Sequence, residues 1–361
     1  MNDILIPTLL VDEDILIANL DRMVSKSRFN GLTFRPHFKT HQSRMIARHY
    51  RERDIYKVTV SSVGMAKYFA EDGWDDITIA FPTNVLEHKS IADLHDSIKL
   101  NLIADSKDII QRIDSWGLQG IGLFIEVDAG YHRTGMDIED TQGLNELVSQ
   151  VESSPSINWK GFLIHNGHTY KSRGEQEIIS AHQASFDLFK RLNRFKEQHP
   201  EIIISVGDTP AFSAVENFSD FDEMRPGNFI FYDLAQWQIG SCELSDIAVC
   251  MACPVVGVYQ ERGELVVYGG GVHFSKDRIN VDGTEVFGFP VGLNAHGWDV
   301  GKRAGYVTSL SQEHGIIKMP QPQLSQYSVG DLIGVLPVHS CLTAEAMRGY
   351  RTLNGEVLDH Y

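Results

Sequence analysis

Through the first two thirds of the chain, short apolar runs alternate with stretches in which apolar residues recur at three- and four-residue steps. The short runs predict buried strands and the wider spacing predicts amphipathic helices. Strands are predicted at 32–37, 57–61, 77–81, 98–103, 121–127, 161–164, 202–206 and 222–225, with helical patterns such as 65–70, 86–94 and 178–195 between them. Eight strands, each followed by a helix or helical turn, predict a (β/α)8 barrel of the TIM type. A doubly wound open sheet is the structural alternative, but no G-x-G-x-x-G follows the first strand. After about Tyr232 the pattern changes to β-rich runs at 247–259, 264–268, 306–310 and 332–337, separated by Gly or Pro. These predict a second, mainly antiparallel domain, to which 7–11 adds a strand. The expected division is a barrel over residues 12–232 and a β-rich domain over 233–361 together with the N-terminal strand segment 1–11.

Composition narrows the class. With 361 residues, 42% apolar and 22% charged, the chain can bury a core larger than one ordinary domain holds. A formal net charge of −16 argues against nucleic acid or an anionic membrane as the main partner, since both would repel it. Met1 is followed by Asn2 and Asp3 rather than a basic, then apolar, leader, and no apolar run approaches a bilayer span, so a cytoplasmic protein is expected. Cys242, Cys250, Cys253 and Cys341 do not make a disulfide framework in so long a chain, and the Cys250/Cys253 pair reads as buried thiols in a strand.

The candidate chemistry starts at Arg35-Pro36-His37-Phe38-Lys39-Thr40-His41, where a lysine ends a strand-like run. The carboxyl ends of barrel strands carry reacting groups, so Lys39 is expected to face a ligand cavity, where a desolvated amine becomes a nucleophile. A lysine snorkelling to solvent is the bland alternative. Two glycine turns after late strands, Gly207-Asp208-Thr209 and Arg225-Pro226-Gly227-Asn228, offer backbone donors and close approach to a phosphate.

Several ordered motifs resemble the fold-type III pyridoxal-phosphate enzymes: Pro7 to Asp12, Arg35 to His41, and Glu126-Val127-Asp128-Ala129-Gly130-Tyr131-His132-Arg133-Thr134-Gly135. The barrel resembles that of alanine racemase. Ser311-Gln312-Glu313-His314-Gly315 and Pro337-Val338-His339-Ser340-Cys341-Leu342-Thr343 bring the chain closer to the D-serine dehydratase and D-threonine aldolase family, over nearly its whole length. The resemblance implies pyridoxal 5′-phosphate, a divalent metal, D-amino acid substrates and a homodimer. It implies that Lys39 forms the internal Schiff base and then acts as general base, and that Arg133 contacts the cofactor's phenolic oxygen; an ion pair of Arg133 with Asp128 is the alternative. His165 stands where that branch usually carries a tyrosine and alanine racemases a histidine. Either Arg225 or His165 could meet the pyridine nitrogen, and His168 is a supporting partner behind these groups, an acid/base group, or a satisfied core or rim histidine. His339 and Cys341, on alternate positions of a presumed strand, would share one face, and sulfur with nitrogen suits Zn²⁺. The implied reaction is dehydration of D-serine or D-threonine to a 2-oxo acid and ammonia. D-threonine aldolase chemistry, racemisation and non-catalytic pyridoxal-phosphate binding are the alternatives.

Overall fold

The computed structural model describes residues 3–218 and 221–361; Met1 and Asn2, at the start of the expected N-terminal segment, lie outside it. It divides into two compact units, Arg22–Gly227 and the chain up to Asp21 together with Asn228–Tyr361.

In the first unit, eight of nine parallel strands among the described residues lie in the order Thr33–Phe34, Glu223–Met224, Ile203–Gly207, Ile157–His165, Ile121–Asp128, Lys99–Ala104, Asp76–Ile79 and Lys57–Val60, and the ninth, Met136–Asp137, pairs off this path with Ile121–Asp128. Each of the eight predicted runs falls on one of them. The ring closes just past the first strand, where Phe38 N–H donates to Thr59 O and Thr59 N–H donates to Pro36 O, both at 2.9 Å. The first strand is shorter than its apolar run because Pro36 has no N–H to give the ladder and the chain turns at Phe38. Strand Ile121–Asp128 is buried at its first seven positions, as expected of a strand covered on both faces.

The barrel interior is polar near the strand that leads to Lys39. Arg35 donates to Glu223 Oε2 and to Asp76 Oδ1, both at 2.7 Å. Ser205 Oγ donates to Glu223 Oε1 at 2.7 Å and accepts from Arg225 Nε at 2.7 Å. Arg225 Nη2 also donates to Ile164 O at 2.8 Å. Arg35 thus meets fully buried Glu223 and half-buried Asp76 directly, and Arg225 reaches Glu223 through Ser205, which compensates charges that could not be buried alone.

In the second unit a largely antiparallel sheet runs Glu264–Tyr268, His314–Lys318, Tyr306–Leu310, Gly288–Asn294, Leu332–Pro337, Val249–Tyr259, Thr8–Val11, Tyr350–Thr352 and Val357–Leu358. The predicted N-terminal strand is present, paired antiparallel to Val249–Tyr259 and parallel to Tyr350–Thr352. Cys250 and Cys253 are buried in Val249–Tyr259, and burial pushes both thiols up. His339 and Cys341 do not alternate on a strand. The strand ends at Pro337, His339 is the N-cap residue of helix Ser340–Met347, and Cys341 lies in its first turn. The cause is Asp233, whose Oδ2 accepts the Ser340 N–H at 2.9 Å and so satisfies a helix-start donor. Among the described residues no helix is long and apolar enough to cross a membrane.

Truncating Glu223 to alanine would leave Arg35 and Arg225 buried with one carboxylate fewer. It is expected to cost about 3–5 kcal/mol in urea denaturation. Truncating Arg112, whose 3.0 Å pair with Asp108 is exposed, should change stability by less than about 0.5 kcal/mol. Equal effects of the two substitutions would contradict this reading of the interior.

Candidate active site and metal centre

Lys39 sits in a turn between Phe38 and Thr40, both fully buried. Phe38 is held by aromatic rings on several sides, with centroids of Tyr50, Phe69 and Trp74 at 5.0, 4.9 and 5.0 Å. Anchoring both neighbours leaves the lysine as the side chain directed away from the packing. It is exposed, so the desolvation expected of it is not supplied by this chain's packing around it. The Lys39 N–H reaches His37 Nδ1 at 3.4 Å. Gly227 is required beside this turn, because a Cβ there would lie 2.8 Å from His37 O and 3.2 Å from Thr40 Oγ1.

Three cations and the His165 imidazole gather around buried His37. Burial first, then the charges of Lys39, Arg225, His165 and Arg133, hold its imidazole well below the ordinary range. His165, at the end of its strand, is lowered to about 3, by burial first and then by Arg133 and Lys39. Its Nδ1 lies 2.9 Å from Gly207 O. A carbonyl only accepts, so Nδ1 carries the proton and Nε2 is left as an acceptor. Arg225 is lowered to about 10, chiefly by burial, and its Nε and Nη2 are committed to Ser205 and Ile164. Its guanidinium lies under Gly207, where a Cβ would approach to 3.2 Å.

Arg133 is exposed in the loop after Ile121–Asp128. The alternative pairing with Asp128 is not observed. The Asp128 carboxylate instead accepts the N–H groups of Gly130, Tyr131 and His132 at 2.8 to 3.1 Å and holds the His132 imidazole at 3.0 Å. It thus shapes the loop that carries Arg133. His168 Nε2 bonds Ala129 O at 3.0 Å, and its ring meets Tyr131 edge-on at 6.0 Å, so it braces the same loop.

The first glycine turn divides in function. Asp208 turns back to accept the Ala211 N–H at 2.6 Å, and burial raises its carboxyl to about 7. It therefore caps helix Pro210–Ala214, as Asp followed by Thr-Pro could have signalled. A protonated or capped carboxyl is a poor phosphate ligand, whereas Thr209 Oγ1 is buried without a hydrogen-bond partner and suits an anionic oxygen.

Asn228, grouped by sequence with the phosphate turn, points its amide elsewhere. Nδ2 lies 2.7 Å from Asp233 Oδ2, 3.1 Å from Ser340 Oγ and 3.5 Å from Cys341 Sγ. Burial would lower His339, but hydrogen bonding and charge from Cys341, with Asp233 and Asp277, outweigh it and raise the imidazole to about 10. The imidazole and the sulfur therefore meet despite the helical geometry. Among the described residues no group of three or more His, Cys, Asp and Glu could hold a metal ion, so the pair would supply two donors. The donor chemistry fits Zn²⁺.

Sequence reasoning missed Asp277. Its Oδ2 lies 2.6 Å from His339 Nδ1, 62 residues away in the chain. It follows Ser275, whose φ of 69° and ψ of −173° fall in a region reserved largely for glycine. That backbone costs on the order of 1–3 kcal/mol. Glu313 lies 3.8 Å from His273, and its carbonyl accepts the Gly269 N–H at 2.9 Å, so this motif braces the β-rich unit.

Residues 11–234 match the family model "Alanine racemase, N-terminal domain", and residues 248–353 match "Putative serine dehydratase domain". The chain therefore belongs to the alanine racemase-like family, in the form that carries a serine dehydratase-type second domain. It is 28% identical to the D-serine dehydratase of Dictyostelium discoideum, covering 99% of this chain and 95% of that protein. It is 27% identical to the D-threo-3-hydroxyaspartate dehydratase of Delftia sp. strain HT23, covering 96% and 93%. The solved structure of the Delftia enzyme superposes with a TM-score of 0.91 at 24% identity over 100% of this chain and 98% of that one. A cysteine-to-alanine variant of the same enzyme in its metal-free form superposes with the same score at 23% identity, covering 100% and 98%.

Because His165 is lowered from 6.5 to about 3, the unfolded chain takes up a proton there before the native state does as pH falls. Native stability from this group is full above pH 6.5 and is lost progressively between 6.5 and 3. Nitrogen NMR of histidine-labelled protein is expected to show His165 still neutral at about pH 5, and an imidazolium there would contradict the site's electrostatics.

Proposed function

We propose that this protein is a lyase for D-amino acids with a hydroxyl on Cβ, converting D-serine, D-threonine or a close relative to a 2-oxo acid and ammonia. The observation that carries the reading is one chain holding both a lysine at a cation-rich barrel mouth and an imidazole–sulfur pair backed by a carboxylate. Dehydratase relatives aligned over nearly the whole chain support it. The barrel, residues 12–232 in this reading, would hold pyridoxal 5′-phosphate, and the β-rich domain, residues 233–361 with the segment 1–11, would hold Zn²⁺. A homodimer is part of the same proposal.

Pyridoxal phosphate, when bound, supplies the electron sink that acidifies the substrate's α C–H. Lys39 is the anchor and, once its amine is free, the acceptor of the α-proton. Gly207, Gly227 and Thr209 Oγ1 would receive the phosphate, with Asp208 and Asn228 shaping the turns rather than touching it. Arg133 would face the phenolic oxygen and favour its anionic form. His165, neutral with its proton on Nδ1, adds no charge and offers Nε2 only as an acceptor. Arg225 acts by fixing Gly207 and the carbonyl of Ile164.

Zn²⁺, when bound, supplies the Lewis acid that hydroxide needs to leave carbon. His339 and Cys341 would hold it, leaving positions for water and substrate. The metal-free state of a cysteine variant of the Delftia enzyme supports this assignment.

A panel of D-amino acids, with and without a chelator, tests the reading. D-serine or D-threonine is expected to give pyruvate or 2-oxobutyrate plus ammonia, lost on chelation and restored by zinc. Lys39→Ala should lower turnover by at least about 10³-fold, as removal of a nucleophile and base does. Glycine plus an aldehyde would identify an aldolase instead, and loss of optical activity without a carbonyl product would identify a racemase. Yellow cofactor binding without turnover would leave only a binding protein.

A further inference from the structure

We infer that Asp277 is the positioning residue of the metal site: it holds the His339 proton on Nδ1 and so turns Nε2 to the ion, and the strained turn at Ser275 exists to place it. The inference rests on the reading that His339 and Cys341 hold the metal. A carboxylate oxygen accepts, so the 2.6 Å contact requires a proton on Nδ1 and makes Nε2 the nitrogen open to an ion. A histidine ligand whose far nitrogen is bonded to a carboxylate is fixed in tautomer and ring orientation and is a stronger donor.

Placing Asp277 requires its own scaffold, which the second unit supplies. Gly269 and Gly271 N–H groups donate to Glu313 O and Ser311 O at 2.9 and 2.7 Å. A Cβ at Gly270 would collide with the Gln312 carbonyl, so this approach needs glycine. The short helix Gly271–Phe274 follows, and Thr343 Oγ1 donates to Phe274 O at 3.1 Å, tying it to the helix that carries Cys341. From that fixed end the chain must swing through the Ser275 conformation to bring Asp277 to the imidazole. The Ser275 side chain helps by accepting the Asp277 N–H at 3.2 Å. The neighbouring cation Arg278 pairs with Glu285 at 2.8 Å, so Asp277 is left to the imidazole. The strained conformation at Ser275 brings Asp277 to the half-buried imidazole, which is the geometry a positioned ligand needs. A cavity of about 450 Å³ opens here, lined by Ala235, Lys276, Asp277, Arg278, Val338 and His339, and gives an ion and its waters access.

The test is zinc affinity of the full-length, pyridoxal phosphate-loaded protein, measured by competition with a chromophoric chelator. Asp277→Ala is expected to weaken zinc binding about 10–100-fold. Asp277→Asn, whose amide oxygen can still accept from Nδ1, is expected to retain most of the affinity. Nitrogen NMR of the zinc-loaded wild type should show the His339 proton on Nδ1. Wild-type affinity in Asp277→Ala, equal losses in both variants, or a proton on Nε2 would each overturn the positioning role. His339→Ala separates the two levels. If wild type and His339→Ala bind zinc equally, the metal assignment itself fails, and if only His339→Ala loses zinc, the failure is confined to Asp277.

Discussion

Glu223 is the constraint on which the barrel site depends. Fully buried, it takes Arg35 on one oxygen and Ser205 on the other, and Ser205 in turn takes Arg225. One carboxylate therefore fixes the strand leading to Lys39 against the strand ending at Gly207 and the segment leading to Gly227. Barrel interiors are more often filled with branched aliphatic side chains. A charged interior is costly to build and costlier to break, but it admits one register, because a slip would leave a guanidinium unpaired. The cations left at the strand ends then have a fixed geometry, and burial first, with their charge second, keeps His37 and His165 neutral.

The second unit solves a different problem with a similar device. Asp233 starts two helices: it accepts the Gln236 N–H at 2.9 Å and the Ser340 N–H at 2.9 Å. The second of these puts Cys341 in a first helical turn. Asn228 bridges Asp233 and the sulfur, so the polar groups around the pair are held in place. Under the proposed metal role, such preorganisation would serve a site with two protein donors, each held without help from a third.

Much of the barrel was legible because parallel strands buried on both faces read as apolar runs, as at Ile121–Asp128 and Lys99–Ala104. Thr8–Val11 was legible as a short apolar run after a proline, although it pairs antiparallel with Val249–Tyr259. Gly288–Asn294 and His314–Lys318 were not, since glycines and polar ends hide short antiparallel strands. Lys39 stood out by its place after a strand, but its exposure did not, because burial of Phe38 and Thr40 is a tertiary fact. The His339–Cys341 pair was legible as chemistry and misread as geometry, because the capping group Asp233 lies 107 residues from Ser340. Asp277 carried no signal, since its partner is distant and its neighbours form no motif. Asp208 carried one, the proline two residues on, which marks a helix start rather than a phosphate ligand.

The proposed role of Lys39 as the covalent anchor of a vitamin B6 aldehyde is addressed directly by one measurement. The protein is loaded with pyridoxal phosphate, reduced with borohydride, digested and mapped by mass spectrometry. A single pyridoxyl group on the peptide containing Lys39 is the predicted result. An unmodified Lys39, or label spread over other lysines with Lys39 spared, would contradict the assignment of the barrel site.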